Sequence, residues 1–194
     1  MAGARLSSAL DLTPTVEEFK AFDKLLEPDG RWAYFITQNR ETGEKKPYSL
    51  PDRYEAVAEI QLPPDVPEAV RSEFNTAKML CVYAWLYYPL HPMAELKAFA
   101  TVELALGLRL PDLSKKGLKV LLTRAVAEGF VTDSGFTHIE TDKQDPQRYS
   151  RMLPDLIPEL RNTLAHGTPL LHPGSLFTVR NCAEIVAQLF QKKE

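Results

Sequence analysis

Glu68-Ala-Val-Arg-Ser-Glu-Phe-Asn-Thr-Ala-Lys-Met-Leu-Cys-Val-Tyr-Ala-Trp-Leu-Tyr-Tyr88 decides the fold class. Phe74, Ala77, Lys78, Cys81, Trp85 and Tyr88 recur near the α-helical period, and the second half is apolar almost all round. A helix with that pattern is central and mostly buried, so it needs other helices around it. The aromatic cluster Tyr83, Trp85, Tyr87 and Tyr88 is core or dimer surface on this pattern, with base stacking as the alternative.

Toward the C-terminus, Pro89-Leu-His-Pro92 breaks the chain and leaves His91 as a loop residue. Met93 to Leu110 reads as the next helix, with Leu96, Phe99, Ala100, Val102, Leu106 and Leu110 as its apolar stripe. Glu103 lies between Val102 and Leu104. It is either partly buried, with Arg161 as a candidate cationic partner, or simply exposed. Ser114 offers an N-cap for a helix through Lys119, Leu122 and Val126, which Gly129 stops. The polar stretch from Phe130 to Tyr149, which includes His138, reads as a loop long enough to be functional or mobile. A helix over Gln147 to Ala165 is expected despite Pro154 and Pro158, with a kink or a restart at the prolines. After a loop over Thr168 to Gly174, a last helix starts at Ser175 or Thr178 and runs to Gln191, with Val179, Cys182, Ile185, Val186 and Leu189 inward.

Toward the N-terminus, Pro63, Pro64 and Pro67 mark a linker, and Asp52 to Ile60 fits a short helix. Arg31-Trp-Ala-Tyr-Phe-Ile-Thr37 is the best strand candidate, so a hairpin or irregular arm is expected over residues 30–50. Thr15, with Glu18 three residues on, signals a helix ending near Leu26. The expected architecture is mainly α: an N-terminal extension with a short β-like element over 1–63, then a helical bundle over 64–194.

The 194 residues suit one domain with an appendage, and the net charge of -3 gives no general affinity for nucleic acid, so any basic site must be local. The longest apolar run, Met79 to Tyr88, is well short of the ~20 residues a membrane helix needs. Residues 1–10 lack the apolar core of a signal peptide. Cys81 and Cys182 sit in apolar helical patterns and read as free thiols, consistent with a reducing cytoplasm and no membrane.

Candidate chemistry concentrates in Leu160-Arg-Asn-Thr-Leu-Ala-His-Gly167. Asn162 and His166, four apart, share a helix face, whereas Arg161 lies about 140° round from His166. If Gly167 ends the helix, His166 sits in its last turn, where the helix dipole favours imidazolium and suits it to acid–base work. Arg161 offers a permanently charged fork matched to phosphate, and Asn162 can orient the histidine or an oxygen. These three side chains suffice for RNA cleavage without a metal, using the substrate's own 2′-hydroxyl as nucleophile; a second copy from a dimer partner would complete the acid–base pair. His172 is a second proton carrier or substrate contact, or a plain loop residue. The spacing of His166, His172 and Cys182 fits no standard zinc pattern, so neither metal nor cofactor is expected.

The string Arg161-Asn162-x-x-x-His166 resembles the Arg-x4–6-His motif of HEPN domains, small helical-bundle proteins common in prokaryotic defence and toxin–antitoxin systems. The resemblance spans roughly Glu68 to Phe190 and leaves residues 1–63 uncovered. It implies an α-helical bundle, a homodimer that brings two motifs together, and metal-independent endoribonuclease activity carried by Arg161 and His166 with Asn162 assisting. Glu103 and His172 are the expected substrate contacts, and an antitoxin or other defence component is the expected partner. The alternative is a non-catalytic HEPN-like module that binds a nucleotide, an RNA or a protein.

Overall fold

A computed structural model describes residues 17–39, 41–167 and 171–191, so the expected N-cap at Thr15 lies outside them. The protein is mainly α, with one two-stranded ribbon among the described residues. Among the described residues the six α-helices are α1 (Leu50–Ala58), α2 (Glu68–Tyr83), α3 (Leu90–Arg109), α4 (Leu118–Ala127), α5 (Leu153–Ala165) and α6 (Ser175–Phe190).

The hub is α3 rather than the helix that opens at Glu68, because α3 packs against α2, α4, α5 and α6. Its buried residues Ala94, Ala98, Phe99, Val102, Ala105 and Leu106 cover an arc of about 140° of its circumference, and the alanines let neighbouring backbones come close. On α2, Val70, Phe74, Ala77 and Cys81 form one inward stripe. On α6, Val179, Cys182, Ala183, Ile185, Val186 and Leu189 do the same. Both cysteines are free and buried.

Long-range polar contacts move several boundaries from where local pattern puts them. The helix expected to reach Tyr88 stops at Tyr83, since the next residues bond to the N-terminal segment. The Asp29 amide donates to the Trp85 carbonyl at 2.8 Å, the Tyr88 amide donates to Asp29 Oδ2 at 3.1 Å, and Lys20 Nζ donates to the Leu86 carbonyl at 2.8 Å. With those groups committed, the chain bends instead of continuing the helix.

The next helix begins three residues earlier than expected, at Leu90, with Pro92 in its first turn where a missing N–H costs nothing. His91 is therefore a buried helical residue and not a loop residue. Gly117, not Ser114, precedes α4; the Ser114 hydroxyl donates to the Pro111 carbonyl at 2.9 Å in a 3-10 turn. Gly129 ends α4 at φ +67°, as expected of a left-handed stop.

Residues 30–37 depart further from expectation. Gly30–Tyr34 is a 3-10 turn capped by the Asp29 carboxylate, and only Ile36–Gln38 (β1) is strand, pairing antiparallel with Lys45–Pro47 (β2). Trp32 sets this bend. Its indole donates to the Ala84 carbonyl at 3.1 Å and stacks on Trp85 with centroids 5.4 Å apart, while Tyr88 packs at 5.4 Å. Tyr88 is thus buried and Trp85 half-buried, both packed on Trp32. The helix signalled up to Leu26 is reduced, among the described residues, to a 3-10 turn at Phe22–Lys24, since Phe19, Phe22 and Leu26 have nothing to pack on and stay exposed.

The stretch 130–149 is irregular as expected, yet it is pinned. Buried Asp133 accepts from the Tyr149 and Ser150 amides at 2.9 and 2.8 Å, and Thr132 and Thr137 bond to Gln188 and Glu184 of α6. Regular helix starts at Leu153, not Gln147, after a 3-10 turn at Ser150–Met152. No helix among the described residues is long and apolar enough to cross a membrane.

Candidate functional site

Helix α5 carries the Arg161/Asn162/His166 string. It buries Leu153, Pro154 and Ile157, starts with Pro154 in its first turn, as a restart there requires, and carries Pro158 inside the same helix. Lys119 of α4 pairs with Asp155 at 2.6 Å on the outside. At the far end the His166 amide donates to the Asn162 carbonyl at 3.0 Å, and Gly167 follows at φ +84°. A left-handed glycine just past the last helical residue is a common stop, so the expected helix end at Gly167 is where the helix ends.

His166 is the C-cap residue, with an exposed side chain that bonds to no described side chain. Asn162 is exposed, and Arg161 is partly buried on the flank facing α3. Arg161 Nη2 lies 3.5 Å from Glu103 Oε2 of α3, and Nη1 donates to Asn162 Oδ1 at 3.3 Å. Of the two readings open for Glu103, the partly buried carboxylate paired with Arg161 is the one found. The pair is partly exposed, so it contributes at most about 1 kcal/mol; its main effect is to fix where the guanidinium points.

His172 is elsewhere. Its Nε2 lies 3.4 Å from Glu95 Oε1, and its Nδ1 accepts from the Gly174 amide at 3.0 Å. Because Nδ1 is an acceptor, the proton of the neutral ring sits on Nε2, on the side of the carboxylate but without a hydrogen bond to it, and Glu95 Oε1 is buried without a hydrogen-bond partner among the described residues. Glu95 and Glu103 are two turns apart on α3, about 12 Å along its axis. The two expected substrate contacts therefore do not share one place: Glu103 belongs with Arg161, and His172 lies beside Glu95.

A second polar cluster, absent from the sequence reading, lies inside the protein. Arg53 of α1 is buried, and its Nε donates to the Cys81 carbonyl at 3.0 Å. Its Nη2 donates to Ser175 Oγ at 3.2 Å, and Ser175 Oγ lies 2.6 Å from His91 Nδ1. Since Arg53 only donates, Ser175 accepts from it and donates its own O–H to His91 Nδ1, so the neutral ring carries its one N–H on Nε2, which is buried and meets no hydrogen-bond partner among the described residues. Burial, reinforced by Arg53, pulls the His91 pKa down to about 3. His91 is therefore an acceptor in a structural cross-link of α1, α2, α3 and α6, not an acid–base group at neutral pH. Next to it, burial raises the pKa of Glu95, whose Oε2 accepts from the Thr178 hydroxyl at 2.7 Å. The four residues stand at 53, 81, 91 and 175. A signal existed only for His91, because Pro92 is compatible with a first helical turn.

No group of three or more His, Cys, Asp or Glu is arranged to hold a metal among the described residues. Cys182 is enclosed, and burial pushes its thiol far up from its ordinary range, whereas His166 is on the surface. No family model matches this chain, and neither a curated protein nor a solved structure matches it significantly.

Proposed function

We propose that the protein is a metal-independent endoribonuclease of HEPN type that acts as a homodimer in the cytoplasm, as a toxin or phage-defence component. One observation carries this: an exposed helix end presents His166 and Asn162 to solvent, beside an arginine fixed by Glu103. Arg161 is aimed without being enclosed, so a phosphate can reach its free N–H groups.

In the proposed reaction the RNA 2′-hydroxyl attacks the adjacent phosphorus and the P–O5′ bond breaks. The products are a 2′,3′-cyclic phosphate and a 5′-hydroxyl. One His166 takes the 2′-hydroxyl proton, and the His166 of the second protomer gives a proton to the departing O5′. Arg161 stabilises the charge that grows on the non-bridging oxygens, and Asn162 steadies the guanidinium through the 3.3 Å bond.

The test is cleavage of mixed RNAs in EDTA by wild type and His166→Ala, with the product ends identified. Wild type should leave cyclic phosphates. The variant should fall by roughly 10²- to 10⁴-fold, as expected for loss of a proton-transfer group, with its melting temperature unchanged. Cleavage that EDTA abolishes would overturn the mechanism.

The net charge of -3, together with the Glu103 carboxylate that already half-satisfies Arg161, favours a second reading: a non-catalytic module binding a nucleotide, an RNA or an antitoxin-like protein. Salt-dependent RNA binding without turnover by folded wild type would select it.

A further inference from the structure

The linker between α1 and α2 closes over one face of α2 and leaves a cavity of about 410 Å³. Ile60, Gln61 and Leu62 form one wall, and Glu68, Arg71, Asn75 and Lys78 line the other. Positions 71, 75 and 78 follow the spacing of one helix face, so a cation, an amide and a second cation rise in a row along the cavity.

The charges in that row are not neutralised locally. Lys78 Nζ donates to the Ile60 carbonyl at 2.6 Å and meets no carboxylate among the described residues. Partial burial lowers its pKa, the sign of an ammonium short of compensation. The Arg71 backbone amide donates to the Pro67 carbonyl at 3.0 Å, but its guanidinium makes no ion pair or hydrogen bond to any described residue, nor does the Asn75 side-chain amide. Glu68 is the single acid lining the cavity, against two cations. In the neighbouring cavity over α6, by contrast, Arg180 lies 3.8 Å from Glu59, so the cation there already has its acid.

We propose that the Arg71–Asn75–Lys78 face is a binding site for the phosphate group of a small phosphorylated ligand, separate from the Arg161/His166 site. Arg71 supplies the planar fork that matches phosphate oxygens, Lys78 a point charge with N–H groups to spare beyond the one on Ile60, and Asn75 a neutral donor between them. The volume suits a small metabolite and not a polymer. Phe74, the one aromatic residue in the lining, is buried, which leaves no platform for stacking a base, so the specificity is for phosphate.

The test is a titration with inorganic phosphate, at constant ionic strength against chloride, followed by the NMR signals of the Asn75 and Gln61 side-chain amides in full-length protein. The expected result is saturable shifts of both amides, with affinity at least roughly tenfold weaker in Arg71→Gln and in Lys78→Met, because each removes a charge-assisted bond. Arg71 is exposed, so Arg71→Gln keeps the test valid even if Lys78→Met folds poorly. His166→Ala should bind phosphate as wild type does. Shifts that never saturate, that persist unchanged in Arg71→Gln, or that move to Asn162 would overturn the proposal. None of these outcomes bears on RNA cleavage.

Discussion

His91 and His166 are one residue type held in opposite conditions, and the contrast can be measured. His91 is fully enclosed and its folded-state pKa is about 3, against 6.5 for a free imidazole. As pH falls, the unfolded chain takes up its proton first. Stability from this group is therefore complete above pH ~6.5 and is lost progressively toward pH ~3. By pH 5 the loss is about 2 kcal/mol by linkage. Glu95, with its pKa raised by burial, works in the opposite sense above its ordinary value, so the readout is a difference between proteins. Urea denaturation at pH 7 and pH 5 should show wild type losing clearly more stability than His91→Gln. Equal losses would mean that His91 is already protonated in the fold. At the motif, a double-mutant cycle on Arg161 and Glu103 should give a coupling energy below about 1 kcal/mol, as expected of a half-exposed pair, while cleavage by Arg161→Ala collapses.

Helix α5 ends at the one backbone conformation that a side chain tolerates badly. Gly167 sits at φ +84° with no described atom within 4 Å of where a Cβ would stand, so Gly167→Ala adds strain without a clash against the described residues. It should cost about 1 kcal/mol and fray the last turn, which holds His166. RNA cleavage should therefore fall further than thermal stability does; an unchanged rate would mean that the helix end does not position the histidine. This stop was legible in the sequence because it depends on one residue's own conformational freedom. The apolar stripes of α3 and α6 were legible for a similar reason, since inward residues recur at a fixed local spacing. What local pattern could not carry were contacts between distant residues. Asp29 and Lys20 end α2 by taking the groups of Trp85, Leu86 and Tyr88, and Arg53, Cys81, His91 and Ser175 meet from four separate helices. For the candidate site, the helix end and the Arg161–Glu103 pairing could be anticipated. The position of His172 could not, because it lies beside Glu95, a residue of α3 far earlier in the chain.

At the scale of the whole molecule, the proposed chemistry needs more than one protomer offers. Five residues of helix separate Arg161 and His166 by about 140°, and the proposed acid and base are two imidazoles, of which each protomer offers one at this helix end. The two helices that meet at the Arg161–Glu103 pair also leave large apolar side chains uncovered: Leu104 and Leu108 on α3, Leu156 and Leu160 on α5. A second copy docked there would bury them and bring two helix ends together, as a two-fold interface requires. If the active unit contains both histidines, wild type and His166→Ala protein mixed and allowed to exchange subunits should lose activity as the square of the wild-type fraction. At equal proportions about one quarter remains, instead of the half that independent protomers would give. Leu108→Glu and Leu156→Glu, each a turn or more from the motif, should shift the protein to monomer in sedimentation and reduce cleavage in step. A linear mixing curve, or a monomeric variant with full activity, would place both proton transfers within a single chain and remove the dimer from the mechanism.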